Sequence, residues 1–347
     1  MQNTEDNKLK TAHLEISRRI AGLDFDGIWP GFHPFPFALY DDKCVRFSDS
    51  EIPWDDRFIG NTSIKYNGSL MAIWKLTGPD RDIDYLSACI VHEMFHAWQD
   101  ETGGLPMADM MVGAFYPRDL RNFELRYAEN LALTALHEKF EAGRWSEFKA
   151  LRSRRRAEYP EAVEFDTKTE NQEGSATYAE LRALKSLSPT IYLRHLEKRL
   201  AFLRSPEKVF DARLVSYDSG AVLHHLRLEN GLAPADCAGT TTTADTPVPA
   251  IPALGVEHKN YFGAIDRLVG EKLAGAERLD LQDAELTGFD PYNVRSSGEF
   301  LYHPYFIAVS RGGKPTEFLM GPHITKMRAR TRQIVEVWRP APEKIHG

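Results

Sequence analysis

Five consecutive residues in the first third of the chain carry its clearest chemical signal. His92, Glu93 and His96 stand in the order H-E-x-x-H. The run from Asp80 to Val91 leads into these residues without glycine or proline, and apolar residues there recur at helical spacing, which predicts a helix. Residues four apart share a helix face, so both imidazoles can bind one metal ion. Glu93 would then lie beside the ion, where its carboxylate can take a proton from a bound water.

The alternative is an ordinary helix that carries two histidines on a polar face. It has to be considered because so short a pattern occurs by chance in about 1% of chains of this length. Apolar residues on two sides of the helix argue against it. A helix with two apolar sides is buried, and buried imidazoles need partners such as a metal ion. These residues are Ile83, Leu86, Ile90, Met94 and Ala97 on one side, and Val91, Phe95 and Trp98 on the other.

Three acidic residues are candidates for a further metal ligand, because catalytic zinc usually takes three protein ligands and one water. The favoured one is Glu173, which begins the run E-G-S-A-T-Y on a second predicted helix over 171–187. The small residues after Glu173 would let this helix approach the first one closely. The carboxylate could then reach the metal at about 2 Å. Glu124 and Glu129 are the alternatives, and either could instead orient a ligand histidine without touching the metal.

An H-E-x-x-H motif followed by an E-G-x-A-x-Y segment on a later helix resembles the gluzincin branch of the zincin metallopeptidases. The resemblance covers roughly residues 60–230. It implies one catalytic zinc ion with His92, His96 and Glu173 as ligands, and Glu93 as the general base. It also implies that the substrate is a peptide or protein, hydrolysed by a metal-activated water.

Hydrolysis of this kind also requires a hydrogen-bond donor to the oxyanion that develops on the scissile carbonyl. We take Tyr217 and His225, on a helix predicted over 206–229, as catalytic candidates. His224 beside them and Tyr178 in the E-G-x-A-x-Y segment are further candidates. The alternative for each is an ordinary core or surface residue.

A hairpin is predicted directly before the motif helix. Asn67-Gly68 separates two strand-like runs at 62–66 and 69–74, and Asn-Gly favours a type I′ turn. By analogy with zincins, the strand at 69–74 is our candidate to pair with an extended substrate. The alternative is an internal strand that is already paired on both sides.

The order of elements predicts an α+β, zincin-like fold. An N-terminal antiparallel β-sheet at 25–76 packs on a mostly helical active-site region at 80–230, and both belong to a catalytic domain over 1–232. Residues 233–255 are rich in Thr, Pro and Ala, which is typical of a linker or surface loop. Residues 256–347 are predicted to form one helix and a small β-rich region.

Composition narrows the classes of partner. The chain has 347 residues, 27% of them charged, and a net charge of -7, which gives no general attraction to nucleic acid. The basic run at 152–156 is predicted to be a solvated helix face. We expect no membrane association, since no run has transmembrane length and no signal core is evident. Three widely spaced cysteines imply no disulfide framework, so the expected location is cytoplasmic.

Two other functions use the same residues. A non-peptidase zinc amidohydrolase would direct the activated water at another amide or acyl bond. A catalytically weak or inactive zincin-fold protein would serve binding or regulation. The metal ligands and Glu93 look complete, which favours an enzyme, a zinc metallopeptidase. The sequence does not indicate an oligomeric state.

Overall fold

The computed structural model describes residues 2–77, 82–233, 249–281, 284–312, 314–328 and 331–341. Most of the linker expected over 233–255 lies outside these described residues. The chain divides into two compact units. Unit one comprises Met1–Met107, Lys168–Phe202 and Ser216–Ala233, and unit two comprises Ala108–Thr167, Leu203–Val215 and Pro234–Gly347.

Both helices and strands are present in quantity, as an α+β fold requires. The helices are α1 (Gln2–Ile20), α2 (Phe25–Ile28), α3 (Ile83–Glu101), α4 (Met110–Ala114), α5 (Leu120–Glu138), α6 (Ala142–Glu158), α7 (Pro160–Thr169), α8 (Ser175–Leu187), α9 (Pro189–Arg204), α10 (Ala212–Asn230) and α11 (Gly255–Leu273). A π-helical turn, Glu170–Gly174, joins α7 to α8. The strands are β1 (Phe37–Tyr40), β2 (Cys44–Arg46), β3 (Glu51–Pro53), β4 (Thr62–Tyr66), β5 (Ser69–Lys75), β6 (Glu277–Leu279), β7 (Ala284–Phe289), β8 (Arg295–Ser297), β9 (Phe300–His303), β10 (Phe306–Arg311), β11 (Glu317–Met320), β12 (His323–Met327) and β13 (Ile334–Arg339).

The N-terminal sheet of unit one has the strand order β3-β2-β1-β5-β4. Its central pair, β1 and β5, is parallel, and its other pairs are antiparallel. The prediction of a wholly antiparallel sheet is therefore wrong. The chain forms two antiparallel ribbons, β1 to β3 and β4 to β5, and these meet through strands that run in the same direction.

The hairpin before the motif helix is confirmed. β4 and β5 pair up to Tyr66 and Ser69, and both turn residues have positive φ, 50° at Asn67 and 85° at Gly68. β5 is an internal strand, because β1 pairs with its other side. The prediction that this strand pairs with substrate is therefore wrong, since its backbone groups already bond to β1 and β4. β4 forms the edge of the sheet.

The motif helix α3 forms where its sequence predicts. Asp82 caps it, with a side chain that accepts hydrogen bonds from the backbone N–H groups of Asp84 and Tyr85. α3 packs on β5, α1 and α8. One hydrophobic core contains apolar side chains of these elements, among them Ile16, Ala72, Ile90, Phe95 and Ala179. α3 is thus held from several sides, which suits an element that must present side chains in a fixed geometry.

Unit two contains α4 to α6, α11 and the C-terminal strands, so the predicted β-rich C-terminal region is confirmed. These strands form two sheets, ordered β11-β10-β7 and β6-β13-β12-β9-β8. The hairpin predicted around residues 306–320 is the antiparallel pair β10 and β11. Among the described helices, none has both the length and the apolar character that a bilayer crossing requires.

The basic run at 152–156 differs from its prediction. Arg152 and Arg155 on α6 are fully buried, whereas Arg154 between them is exposed. The Nε atoms of Arg152 and Arg155 donate to the two carboxylate oxygens of Glu129 on α5, at 2.9 and 2.8 Å. Arg155 also binds Asp166 at 2.8 Å. The prediction of a solvated face is wrong for Arg152 and Arg155, because α5 places a buried acid where they enter the interior.

Candidate metal centre

Two histidines of α3 point their ring nitrogens at one place. His92 and His96 are one turn apart on the helix, and their Nε2 atoms are 3.2 Å apart. Their side chains are 11% and 14% exposed, so water competes little for these nitrogens. Two buried imidazole nitrogens that face each other need a common partner, and a metal ion satisfies both.

Glu173 supplies a third donor from the π-helical turn. Its Oε2 atom is 3.2 Å from Nε2 of His96 and 3.7 Å from Nε2 of His92. A tetrahedral zinc ion with bonds of about 2.0–2.1 Å requires about 3.3 Å between neighbouring ligand atoms. The three observed edges of 3.2, 3.2 and 3.7 Å match that requirement. His92, His96 and Glu173 therefore form a group that can hold a metal ion, and their donor set suits zinc.

The residues after Glu173 do only part of what was expected of them. Ser175 contacts Gln99 of α3, and Ala176 belongs to the core that α3 and α8 share. Gly174 instead meets the backbone of α10 at Gly220. The prediction that Gly174 serves the approach to α3 is therefore wrong, because its backbone is the contact surface for a different helix.

Gln99 fixes the orientation of His96. Its Oε1 atom is 2.8 Å from Nδ1 of His96, and an amide oxygen can only accept a hydrogen bond. Nδ1 of His96 therefore carries a proton, and Nε2 is the nitrogen that would bind an ion. The amide nitrogen of Gln99 donates to the Gln172 carbonyl and to Ser175 Oγ, at 3.0 and 2.9 Å. One side chain thus joins a ligand histidine to the turn that carries Glu173.

His92 has a carboxylate on its other nitrogen. Oε2 of Glu180 is 3.3 Å from Nδ1 of His92. The other oxygen of Glu180 accepts from Arg199 at 2.7 Å, and Arg199 also donates to Asp218 at 2.7 Å. A carboxylate against the distal nitrogen of a ligand histidine orients the ring and raises its basicity. Arg199 holds that carboxylate in place from α9.

The buried acids make the centre attractive to positive charge. Burial opposes ionisation of Glu173, but its contacts with His92 and His96 outweigh burial and hold its pKa well below the ordinary value. Burial likewise opposes a charge on His92, and contacts with Glu173 and Glu180 outweigh it, raising its pKa to about 10. The pKa of His96 is raised through Glu173 in the same way, against burial. A divalent cation bound here would neutralise the negative charge of Glu173 and Glu180, which protons on the two imidazoles otherwise neutralise.

Glu93 differs from Glu173 in its electrostatic setting. It follows His92 on α3 and is 7% exposed. Burial raises its pKa above the ordinary value for a glutamate, although the charges of His92 and His96 act the other way. A carboxylate with a raised pKa holds an accepted proton better than an exposed one, which suits a general base that must later return it.

The candidate oxyanion donors have different surroundings. The ring of Tyr217 is nearly parallel to that of His92, with centroids 6.4 Å apart. Nε2 of His224 contacts the Glu170 carbonyl, and Tyr178 packs its buried ring against Trp29. His225 is half-buried, and burial lowers its pKa while Glu229 and Arg182 act on it in opposite directions. Tyr217 is the member of this set whose ring stacks on that of His92, a candidate metal ligand, and the catalytic role of each residue stays a prediction.

The alternative third ligands belong to unit two. The carboxylate of Glu129 binds Arg152 and Arg155 in the interior. Glu124 has an oxygen 3.7 Å from Arg121 and accepts from the Leu254 backbone at 3.3 Å. Neither residue belongs to the group of described side chains that can hold a metal.

Sequence reasoning missed Gln99, Glu180 and Arg199. Two of them could have been found from sequence spacing. Gln99 follows His96 by three residues and Glu180 follows Glu173 by seven, and residues at these spacings lie on the same face of a helix. Arg199 lies on a different helix, and its contact with Glu180 has no local sequence signature.

Comparisons with protein-family models, with curated proteins and with solved structures find no match to this chain.

Proposed function

We propose that this protein is a zinc-dependent metallopeptidase of the zincin type. The observation that carries the proposal is the triangle of His92, His96 and Glu173 donor atoms, whose edges fit a tetrahedral zinc ion. Three protein ligands leave a fourth position for water, which is the arrangement of catalytic rather than structural zinc sites. Glu93 follows the first ligand directly and supplies the base.

The arrangement of unit one supports the zincin-type fold. A β-hairpin precedes the helix that carries both histidines, and the third ligand comes from a later helix packed on it. This is the order that the resemblance to gluzincins implies.

The chain's own groups can perform the acid–base steps. When bound, zinc supplies a water of lowered pKa and polarises the scissile carbonyl. Glu93 accepts a proton as the water oxygen attacks the carbonyl carbon. When the C–N bond breaks, Glu93 returns that proton to the departing amine nitrogen. Tyr217, beside His92, is our candidate donor to the oxyanion.

The sheet edge supports an extended peptide as substrate. β4 is the edge strand of the N-terminal sheet and contacts α3. An edge strand presents backbone donors and acceptors to a further strand, which is how many proteins bind extended peptides. In our proposal β4 replaces β5 as the strand that aligns the substrate.

The test combines metal analysis with substrate screening. Purified protein should contain about one zinc per chain, and it should cleave members of a mixed peptide library in a reaction that chelation stops and zinc restores. Glu93→Gln should retain zinc and lose cleavage, and the exposed Asp100→Asn is the control on the same helix. Protein that binds no zinc would refute the proposal.

The same experiment separates the alternatives. Zinc-dependent hydrolysis of small amides without peptide cleavage would identify a non-peptidase amidohydrolase. Bound zinc without any hydrolysis would identify a zincin-fold protein that acts by binding. Retained cleavage in Glu93→Gln would remove Glu93 as the base.

A further inference from the structure

The third ligand lies on an irregular piece of helix. The residues on either side of the π-helical turn, Thr169 and Ser175, have right-handed helical backbone angles, so the turn continues directly into α8. A π-helical turn contains one residue more than an α-helical turn, so it rotates the next helical segment by about 100° relative to a regular helix. The direction of Glu173 therefore depends on the turn keeping its π form.

Helix α10 contacts this turn through polar groups. Ser219 Oγ donates to the Glu170 carboxylate at 2.7 Å, in the interior. Nε2 of His224 is 3.2 Å from the Glu170 carbonyl oxygen. Burial lowers the pKa of His224 to about 4, so the ring is neutral and its Nε2–H donates. Both bonds hold the first residue of the turn.

The backbones of α10 and the turn also touch. A Cβ atom added to Gly220 would lie 2.7 Å from the Glu170 carbonyl oxygen and 2.8 Å from the Gly174 Cα. A Cβ atom on Gly174 would lie 2.5 Å from the Gly220 Cα. These distances are too short for any side chain, and backbone atoms cannot turn aside as a flexible side chain can. Glycine at both positions is therefore required for this close crossing.

We propose that α10, through Ser219, Gly220 and His224, is the positioning element that holds the π-helical turn and so aims Glu173 at the two histidines. The proposal rests on the metal centre of the proposed function, and on no step of peptide cleavage. It makes Gly220 a determinant of metal affinity although its nearest neighbours are backbone atoms of Glu170 and Gly174 rather than ligand atoms.

The deciding variant is Gly220→Ala. The added methyl must push the turn away from α10, so we expect zinc affinity to fall about 10-fold or more, as it does when support of a ligand is lost. Affinity is measured on full-length, metal-free protein by competition with a chromophoric zinc chelator. Gly270→Ala is the matched control, because Gly270 is a helical glycine in α11 whose Cβ position is open.

Milder and stability-matched variants complete the test. Ser219→Ala removes one bond to the turn without steric conflict, and should lower zinc affinity about 3- to 10-fold in a folded protein. Val45→Ala, in the buried part of β2, is chosen to lower stability away from the turn and should leave zinc affinity unchanged. The visible absorption of bound Co²⁺ should change in Gly220→Ala and remain as in the wild type in Val45→Ala.

The outcomes are distinguishable. Wild-type zinc affinity in folded Gly220→Ala overturns the inference and leaves the metal centre intact. If Gly220→Ala fails to fold, wild-type affinity in both Ser219→Ala and His224→Phe overturns it instead. A wild-type protein that binds no zinc removes the centre itself, and the proposed function and this inference fail together.

Discussion

The amide oxygen of Gln99 is 2.8 Å from Nδ1 of His96, while the amide nitrogen of Gln99 bonds to the turn that carries Glu173. Gln99 thereby couples two candidate metal ligands, His96 and Glu173, that are far apart in sequence. Such partners of ligand side chains hold metal sites in the geometry required before the ion binds.

Gln99→Leu should lower zinc affinity about 10-fold or more, because His96 loses the acceptor that fixes its ring. Gln99→Glu keeps an acceptor for His96 but has no N–H for the Gln172 carbonyl, so an intermediate affinity is expected. Chelator competition measures both variants, and Asp100→Asn serves as the neighbouring control. Equal affinities in Gln99→Leu and the wild type would show that Gln99 does not support the site.

Glu173→Ala should lower zinc affinity about 10-fold or more, since one of three protein ligands is removed. Glu124→Ala is the matched control, because Glu124 lies outside the metal-binding group. Elemental analysis after equilibrium dialysis compares the two proteins. Loss of zinc from Glu124→Ala with retention in Glu173→Ala would reverse the assignment of the third ligand.

Zinc affinity should rise with pH. The pKa of His92 is raised to about 10 in the metal-free protein, so this ring is protonated at neutral pH, and the raised pKa of His96 favours the protonated form of that ring too. Zinc must displace these protons, and each proton released makes apparent affinity rise about tenfold per pH unit below the pKa. We therefore expect a steep increase between about pH 6 and pH 8, by roughly one to two powers of ten per unit. Titrations at fixed ionic strength would contradict this if affinity were flat over that range.

The buried charge cluster of unit two should control its stability. Glu129→Gln leaves Arg152 and Arg155 buried with less opposing charge, and should lower the free energy of unfolding by about 3–5 kcal/mol. Arg154→Ala, at an exposed position of the same run, should change it by less than about 0.5 kcal/mol. Urea unfolding followed by circular dichroism compares the two. A loss below about 1 kcal/mol in Glu129→Gln would show that the cluster contributes little.

Local sequence patterns predicted several features correctly. Asn67-Gly68 predicted the hairpin, since the turn needs two positive φ values that these residues adopt readily. The spacing of His92 and His96 predicted a shared helix face, and the distance between their Nε2 atoms agrees. Glu173 was chosen from three acids, and it is the one that reaches the histidines.

Other predictions were wrong, and some residues were missed, because these features depend on which elements pack against each other. β5 looked like an edge strand until β1 paired with its second side. Arg152 and Arg155 were predicted to be solvated, but both are buried and donate hydrogen bonds to Glu129 in the interior. No sequence pattern indicated a role for Arg199, which donates a hydrogen bond to Glu180 from α9.

The sequence by itself determined the chemistry available here, namely two imidazoles on one helix face, an adjacent base and a distant carboxylate. Only the tertiary structure decided which carboxylate joins the imidazoles, which side chains orient them, and that a π-helical turn delivers the third donor. The reason is physical. Helical spacing and turn preferences arise from neighbours a few residues away, whereas the partner of a buried charge or a strand edge is chosen by packing between distant segments.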